Sequence, residues 1–588
     1  MLRYLRMSSG TTLFDFPNQP GRWGKVLPYA LLLGVTLGLY GASLYFYFVW
    51  DDFAYIVKNY RIQGLDWAHV RAFWTGTYLH HYAPVHHTLL ALLYHFSGLN
   101  PFGYHLAQVL LHAGCVCLVY FIVRKLESPR VAMLASLLFA VHPANVETVA
   151  WISETKSTLA FLFFLLSFWC YLRFREKGHP RERMLDGLLA GLFLVLSVLA
   201  KINTVVAPAI FLLYDYKAGA SLKKLQWRSL IPFFLISAIF TLVHLASFHG
   251  GAQVMESEYM GGIGVHLLNM PLLLSFYLQM TVFPYSLSAW EMYPIQEGFT
   301  ALAALGWLGF FGLAFLLARS RRNSQFWGLW IFVFLLPVLQ IIPFNVWVAD
   351  RYLYIPAIGG FVLLSEYLFG LRDRLQRPLA RWSWEAAVVG AVLLLAWRTQ
   401  RHLPVWTNDL TLWAATTPTC MTSAYCHTNL GTALLQNGQM ELGIQELERA
   451  VEIRPHPVYL ERLGDAYAMA ARDYGRALHA YRLALESSGA SPGREIYGKL
   501  ARAYWLAGDF EQASRAIEAG KRVSTGDPGL WIAAGFLEWK LGNWESARQS
   551  IRRALVLSGS NFNVAGYLTE FWGQPGEVGR MLSDLNPL

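Results

Sequence analysis

The chain has few charged residues and few cysteines. Only 15% of its 588 residues are Asp, Glu, Lys or Arg, whereas 55% are hydrophobic, a balance that excludes an ordinary soluble domain and predicts many membrane spans. It lacks a glycine-rich phosphate loop, a nucleophile elbow and a Rossmann fingerprint, which argues against a soluble nucleotide or nucleotide-sugar site. Five cysteines do not make a disulfide scaffold. For Cys420 and Cys426 helix packing is the favoured role, and a disulfide between them is the alternative.

The formal net charge of +10 does not point to a nucleic-acid partner. The basic residues cluster in short connectors between apolar runs, as the positive-inside rule describes for cytoplasmic loops, so they report orientation. A basic N-terminus without a small-residue cleavage site predicts an uncleaved first span with its N-terminus in the cytoplasm. The connector clusters are Arg124-Lys125 with Arg130, and those within 173–183, 217–228 and 319–322.

Apolar runs predict about eleven membrane spans. With the basic connectors inside, everything after residue 400 falls on the far side of the membrane. The run 266–283 is apolar enough to cross, but crossing would place the cluster at 319–322 outside, so a re-entrant or surface helix is predicted there. The predicted spans lie near 26–49, 104–123, 131–147, 157–172, 185–200, 202–216, 229–248, 300–318, 326–344, 352–371 and 384–400.

After Pro404 the sequence turns polar and alanine-rich, and similar residues recur about every 34 positions. Leu430-Gly431, Leu463-Gly464 and Leu500-Ala501 begin the same pattern of small and large residues, and a fourth copy contains Gly535. The second copy carries one extra residue near Asp473. The spacing resembles tetratricopeptide repeats, in which small residues let paired helices close. The predicted domains are a membrane domain over 1–403, a linker over 404–423 and about four repeats over 424–588.

Two adjacent acids, Asp51 and Asp52, follow Trp50 at the outer end of the first span. Carboxylates are costly close to lipid and often mark a functional site there. Two such charges also raise one pKa, which suits a general base. A helix N-cap for the following segment is an equally good interpretation of these two residues alone.

A second polar block opens the fourth predicted span on the same outer side. It contains His142-Pro143, Glu147, Trp151 and Lys156. Glu147 and Trp151 are four residues apart and share a helix face. A favourable interaction of an acid with a helix N-terminus would explain Glu147 alone. It does not explain why a carboxylate, an indole and a lysine occur together at one membrane mouth. We therefore predict that Glu147 is catalytic and that His142, Trp151 and Lys156 position the substrate.

Lys201 and the run Asp350-Arg351-Tyr352 add positive charge at two further outer turns. Arginine can hold a phosphate with two hydrogen bonds and lysine with a point charge. For Lys201 an alternative is snorkelling towards lipid headgroups. The predicted phosphate-binding residues are Arg351 and Lys201, with Tyr352 in a positioning role.

Several histidines lie on or near the outer side, but their spacing does not predict a metal site. There is no HExxH motif and no fixed cysteine partner. No metal and no cofactor are predicted. These histidines are His80, His81, His86, His87, His105 and His112.

Read in order, these motifs resemble the transmembrane and tetratricopeptide repeat-containing (TMTC-like) O-mannosyltransferases and their bacterial relatives. The resemblance implies a GT-C fold, a dolichyl- or undecaprenyl-phosphate sugar donor, and action on the lumenal or periplasmic face. It also implies that the first-loop acid is the base, that Glu147 is the second-loop acid and that Arg351 holds the donor phosphate. The matching segments are Trp50 to Asp52 with Asn59, Asn100 to His105 with His112, His142 to Lys156, Leu199 to Lys201, Ala349 to Pro356 and Trp406 to Gly431.

The sequence thus predicts an all-α membrane glycosyltransferase that moves a monosaccharide, with mannose as the implied sugar, to a hydroxyl of an exported protein. Its partners would be the lipid-linked donor, membrane lipids and an acceptor bound by the repeats. The location would be a bacterial inner membrane with periplasmic repeats, or the ER membrane with lumenal repeats. A lipid or glycan acceptor is an alternative. An inactive repeat-bearing scaffold is another, because relatives often carry arginine where this chain has Thr155.

Overall fold

The computed structural model describes residues 22–79, 81–176, 178–219, 226–248, 261–341, 346–488, 496–524, 526–558 and 575–585. These residues form helices and the turns between them, with no strand among them, which confirms the predicted all-α class. The chain divides into two compact units, residues 1–419 and 420–588.

The first unit is a bundle of α-helices joined by short turns and single 3₁₀ turns. Proline often begins a helix, where its missing N–H leaves no hydrogen bond unmade. The helices are α1 (Arg22–Tyr40), α2 (Trp67–Thr75), α3 (Pro84–Ser97), α4 (Pro101–Leu126), α5 (Pro129–Val141), α6 (Asn145–Ala150), α7 (Thr155–Glu176), α8 (Pro180–Ala200), α9 (Ala207–Lys217), α10 (Trp227–Phe248), α11 (Ile263–Val282), α12 (Ala301–Arg319), α13 (Arg322–Leu335), α14 (Ala357–Arg374), α15 (Pro378–His402) and α16 (Asp409–Thr416).

Eight helical stretches among the described residues are long and apolar enough to cross a membrane. The chain is therefore a multi-pass membrane protein. Four predicted spans are shorter or more polar helices, α5, α9, α13 and α14, and prolines that follow α5 and α13 end those helices early. The eight stretches are Val26–Tyr45, Pro101–Leu126, Ile152–Glu176, Pro180–Ala200, Trp227–Ala246, Ile263–Val282, Ala301–Arg319 and Pro378–Trp406.

Ion pairs and hydrogen bonds between helix ends define two ends of the first unit. At one end, which we call the basic pole, short connectors join α4 to α5, α7 to α8, α12 to α13 and α14 to α15. Ion pairs tie the connectors together there, such as Lys125 Nζ to Glu176 at 2.6 Å and Arg130 Nη1 to Asp373 at 3.0 Å. At the other end, the site pole, the C-terminus of α8 and the N-termini of α7 and α14 meet.

Helix α11 covers the run 266–283, for which a re-entrant or surface helix is predicted. It is continuous over 20 residues and long enough to cross. However, its contacts stay at the site pole along its length. The His266 ring stacks on Trp347 with centroids 4.6 Å apart, and the Tyr277 hydroxyl accepts a hydrogen bond from the Ala349 N–H at 3.2 Å. These contacts favour a helix that lies along the site pole.

Most of the predicted linker 404–423 packs within the first unit. A 3₁₀ turn, Leu403–Trp406, and helix α16 form there. Trp406 and Trp413 are fully buried, and the Tyr47 N–H donates a hydrogen bond to the Thr407 carbonyl at 2.9 Å. The boundary of the second unit at residue 420 therefore lies inside the predicted linker.

The second unit stacks helix pairs, which is the tetratricopeptide arrangement that the sequence predicts. In the first pair, a Cβ on Gly431 would lie 2.8 Å from the Gly443 carbonyl oxygen, so the two helices close only because both residues lack a side chain. The helices are α17 (Ala424–Gln436), α18 (Met440–Ile453), α19 (Pro457–Ala466), α20 (Tyr474–Ser487), α21 (Ile496–Leu506), α22 (Phe510–Val523), α23 (Pro528–Lys540), α24 (Trp544–Ser558) and α25 (Pro575–Asp584).

The extra residue of the second repeat is taken up locally. Helix α19 continues as a π-helical turn, Tyr467–Ala471, and Arg472 then adopts a left-handed φ of 54°. A π turn absorbs one residue without breaking the helix. The register of the following helix α20 is thereby preserved.

The expectation for Cys420 and Cys426 is wrong, because the two form a disulfide with their Cα atoms 6.4 Å apart. A turn and the N-terminus of α17 bring them together over a separation of six residues. Sequence spacing alone does not report the relative direction of two Cβ atoms, which is why helix packing was the expected role.

Candidate active site

Asp52 is the fully buried member of the acidic pair. Its Oδ2 accepts a hydrogen bond from the Val49 N–H at 3.1 Å, and its Oδ1 accepts from the Ser153 N–H at 2.7 Å and from the Ser153 hydroxyl. Burial raises the pKa of Asp52 to about 7, although the Ser153 and Val49 hydrogen bonds oppose that rise. Both carboxylate oxygens of Asp52 therefore accept hydrogen bonds. These bonds connect the segment that follows α1 to the turn that precedes α7.

Asp51 is partly exposed and differently placed. No described residue donates a hydrogen bond to its carboxylate. Burial raises the pKa of Asp51, while the positive charges of Lys156 and Arg351 lower it in part. Asp51 is therefore the member of the pair whose carboxylate remains available to a ligand.

Glu147 and Arg351 form one buried unit. Glu147 Oε2 accepts a hydrogen bond from the Arg351 backbone N–H at 2.7 Å, and Oε1 accepts from the guanidinium. Helix α6 carries Glu147, and the 3₁₀ turn Asp350–Leu353 carries Arg351. Both side chains are less than a tenth exposed. The carboxylate that the sequence predicts to be catalytic is thus engaged in fixing the orientation of the arginine.

Glu154 is the residue that sequence reasoning missed. Its carboxylate lies 2.8 Å from Lys201 Nζ, 3.5 Å from Lys156 Nζ and 3.9 Å from Arg351 Nε, and it accepts a hydrogen bond from Ser157. Three cations therefore surround one buried carboxylate. The available signal was a second acid at the same membrane mouth, two residues before Lys156 and three residues before Ser157.

A cavity opens beside these cations. On its polar side lie Lys201, Arg351 and Ser157, whose hydroxyl accepts a hydrogen bond from Lys201 Nζ at 2.7 Å. The rest of the wall is mainly apolar, so the lining of the cavity combines positive charge with apolar surface. The remaining lining residues are Ala160, Asn203, Thr204, Phe334, Val338, Tyr352, Tyr354, Ile355 and Pro356.

Aromatic rings form one wall of the charged cluster. Trp151 stacks on Trp50 with centroids 4.4 Å apart and planes 6° from parallel. The Arg351 guanidinium lies 5.4 Å from the Trp151 ring centroid and 5.2 Å from that of Tyr352. Lys156 Nζ lies 5.0 Å from the Tyr55 ring centroid. Cation–π contacts of this kind hold basic side chains in place when they are withdrawn from water.

The structure therefore brings together the predicted residues Asp51, Asp52, Glu147, Trp151, Lys156, Lys201, Arg351 and Tyr352. His142 lies apart from them. Its ring packs against Phe361 with centroids 5.1 Å apart, and its Nδ1 accepts a hydrogen bond from the Ala144 N–H at 3.4 Å. These contacts belong to the turn between α5 and α6, so the predicted substrate-positioning role of His142 is not supported by its position.

The remaining histidines serve mainly in packing. His112 Nδ1 is 2.8 Å from the Tyr354 hydroxyl, and the rings of His86 and His87 pack against Tyr55. His80 lies outside the described residues. Over the residues that the structure describes, no group of three or more His, Cys, Asp or Glu side chains is placed to hold a metal ion.

Fold and cavity together define a class: a polytopic helical membrane protein with a tetratricopeptide repeat unit and a charged, lipid-compatible pocket at one pole of its bundle. Comparison with known proteins gives the same class. Residues 81–246 match the model of the dolichyl-phosphate-mannose-protein mannosyltransferase family, and residues 424–457 match a tetratricopeptide repeat model.

The chain is 26% identical to human protein O-mannosyl-transferase TMTC1 over 74% of its own length, and 27% identical to human TMTC4 over 68%. It is 23% identical to protein O-mannosyl-transferase F38B6.6 of Caenorhabditis elegans over 75%. These matches confirm the predicted resemblance to the TMTC-like O-mannosyltransferases. It spans 56% of the length of TMTC1, 62% of TMTC4 and 64% of F38B6.6.

Proposed function

We propose that the protein transfers a mannosyl group from a polyprenyl-phosphate donor to a hydroxyl of an exported protein. The observation that carries the proposal is the cavity beside Lys201 and Arg351, whose wall combines these two cations with apolar residues such as Phe334 and Val338. A lipid phosphate has the same two-part character. Arginine and lysine are the side chains best suited to the phosphate.

The proposed reaction needs one base and one anion-binding site. Asp51 takes the proton of the acceptor hydroxyl, and the hydroxyl oxygen attacks C1 of the sugar. The bond between C1 and the phosphate oxygen breaks, and its electron pair leaves with the polyprenyl phosphate. Arg351 and Lys201 stabilise the negative charge that develops there, and the configuration at C1 inverts. A preorganised cation supplies its stabilisation without reorganising during the reaction.

The two carboxylates of the acidic pair take different parts in this proposal. Asp51 accepts no hydrogen bond from a described residue, whereas both oxygens of Asp52 are occupied. We therefore assign the base to Asp51 and a positioning role to Asp52. Glu147 acts through Arg351, and Glu154 through Lys201 and Lys156. The arginine that relatives often carry at the position of Thr155 is then unnecessary, since three other cations already reach the site.

We place the site pole outside the cytoplasm. The connectors at the basic pole carry the arginines and lysines that favour the cytoplasmic side. The Cys420–Cys426 disulfide of the second unit independently favours an oxidising compartment, such as the periplasm or the ER lumen. Both arguments support our proposal that the cavity opens on the side where exported proteins emerge.

A protein acceptor is favoured over a lipid or glycan by the second unit. Stacked helix pairs give an extended surface suited to a peptide segment, and the relatives are named as protein O-mannosyl-transferases. The repeats would thus select the acceptor, while the first unit carries out the transfer.

The test is transfer by the purified full-length protein in lipid, with radiolabelled polyprenyl-phosphate mannose and a Ser/Thr-rich peptide. We expect label on the peptide, and none with Asp51→Asn, since a general base contributes about 10²–10⁴-fold. Glu297→Gln, which removes an exposed carboxylate of the same unit, is the matched control and should transfer normally. Label found only on lipid or glycan would overturn the protein acceptor, and unconsumed donor would overturn the reaction.

A further inference from the structure

Trp50, which directly precedes Asp51, has an unusual backbone conformation. Its φ is 52°, in the left-handed region that a bulky residue rarely adopts and that persists only where surrounding contacts enforce it. The Asp52 N–H donates to the Val49 carbonyl at 2.9 Å, so the chain reverses at this point. Something must hold Trp50 in this conformation.

The Trp50 ring stacks on Trp151, and two further contacts come from more than 350 residues along the chain. The Trp50 N–H donates a hydrogen bond to Asp409 Oδ1 at 2.7 Å. The Trp50 indole also meets Trp413 edge to face, with centroids 5.4 Å apart. Asp409 and Trp413 lie on α16, whose N-terminus is fixed by a capping box between Asn408 and Thr411. A hydrogen bond to an ionised carboxylate is among the stronger ones in proteins.

The turn at Trp50 separates the two acids that follow it. Asp52 points inward to Ser153, while Asp51 lies beside the positive charges of Lys156 and Arg351. If Trp50 relaxed to a negative φ, the direction of the next residue would change. Displacing a reacting group by about 1 Å can cost about 10²-fold in rate.

We infer that Asp409 is a positioning residue for transfer, which acts by holding Trp50 in the left-handed conformation that directs Asp51 towards Lys156 and Arg351. The expected effect on transfer rests on the proposed function. The hydrogen bond between the Trp50 N–H and Asp409 is independent of that function. Sequence comparison of the acidic pair alone would not reveal it, because Asp409 lies beyond the last membrane span.

Three variants of the full-length protein separate the hydrogen bond from general stability. Asp409→Ala removes the acceptor. Asp409→Asn keeps an amide oxygen that can still accept from the Trp50 N–H. Thr411→Ala is the matched control, since it weakens the capping box of the same helix and leaves the Asp409 carboxylate in place.

Two measurements are made on each variant: hydrogen exchange of a peptide covering residues 46–53, and the rate and KM of sugar transfer. For Asp409→Ala we expect at least tenfold faster exchange in that peptide and about a 10- to 100-fold fall in kcat with donor KM within about threefold of wild type. Asp409→Asn should recover most of the kcat. Thr411→Ala should match wild type in both measurements.

The inference is overturned if Asp409→Ala leaves exchange at residues 46–53 unchanged, or if it lowers kcat no more than Thr411→Ala does. A wild-type protein that transfers no sugar, yet shows the expected exchange pattern, would reject the proposed function while supporting the positioning of the loop. Loss of transfer in Asp51→Asn together with normal transfer in Asp409→Ala would support the proposed function and reject the positioning role of Asp409.

Discussion

The two poles of the membrane unit both carry buried ion pairs, but they use them differently. At the basic pole each pair joins two helices: Lys217 Nζ lies 2.5 Å from Glu127, and Arg372 Nη2 lies 2.8 Å from Glu385. At the site pole three cations share the Glu154 carboxylate, and the Asp51 carboxylate accepts no hydrogen bond from a described residue.

This difference separates charge that holds a bundle together from charge that remains available to a ligand. In an ion pair that contacts no cavity, the attraction between the two side chains offsets the cost of removing them from water. Breaking such a pair mainly lowers the stability of the fold. At the site pole the cations line a cavity, so an incoming anion can still gain from them. Charged side chains that could bind a ligand are therefore those that line a cavity. Burial alone does not distinguish them from charged side chains that only pair with each other.

The largest expected difference is between two arginines. Arg351→Lys keeps the charge but loses the planar fork, and we expect kcat to fall by about 10²–10³, as when one transition-state donor is removed. Arg372→Lys at the basic pole should keep the turnover of each folded molecule and lower only the melting temperature. Steady-state kinetics and thermal unfolding of both variants check this. Equal kinetic losses would abolish the distinction between the poles.

Glu154→Gln should affect binding and turnover in opposite directions. Removing the negative charge leaves Lys156, Lys201 and Arg351 free to attract phosphate, so we expect the Kd for polyprenyl phosphate to fall several-fold. Without the carboxylate the lysines lose their orientation, and kcat should fall about tenfold. Donor-binding titrations and transfer rates measure the two effects. Weaker donor binding would show that Glu154 does not compete for these cations.

The pH profile should report the same charges. Burial lowers the pKa of Lys201 to about 8, so the lysine loses its positive charge as pH rises through that value, and transfer should fall by about tenfold per unit above it. Asp51 must be ionised to act as a base, and burial raises its pKa above the ordinary 3.8, so activity should also fall on the acid side. In Lys201→Arg the alkaline fall should disappear. If transfer by Lys201→Arg still fell at high pH as it does in wild type, deprotonation of Lys201 would not be the cause of that fall.

The smallest expected effect concerns the second unit. The disulfide closes a short loop of about seven residues, for which chain entropy gives about 2 kcal/mol of stabilisation. Cys420→Ser should therefore lower the melting temperature of the full-length protein by a few degrees and leave transfer to a short peptide unchanged. If a reducing agent lowered the melting temperature of the wild-type protein by the same amount, the change would be due to loss of the disulfide. A large loss of transfer would instead join the disulfide to the site.

Much of the fold could be predicted from the sequence, because hydropathy and basic connectors determine which helix ends lie at the same pole. That reasoning brought Asp51, Lys201 and Arg351 to one membrane mouth. The repeat period predicted the helix pairs of the second unit. It also showed one extra residue near Asp473, but not how the helix accommodates that residue, which is by the π turn Tyr467–Ala471.

Pairing of side chains could not be predicted in the same way, because it depends on how each helix is rotated. Glu147 was expected to face substrate, but it binds Arg351. His142 follows α5 directly, yet its ring packs against Phe361. Glu154 was missed because nothing in its spacing shows that Lys201 lies within hydrogen-bonding distance.

The most direct test of the account measures donor binding and a single round of transfer in the same Asp51→Asn preparation. We predict that the variant binds polyprenyl-phosphate mannose with a Kd within about threefold of wild type, since Arg351 and Lys201 remain, and that its transfer step is slower by about 10²–10⁴-fold. Transfer at the wild-type rate with the carboxylate removed would contradict the assignment of Asp51 as the base, and with it the proposed mechanism.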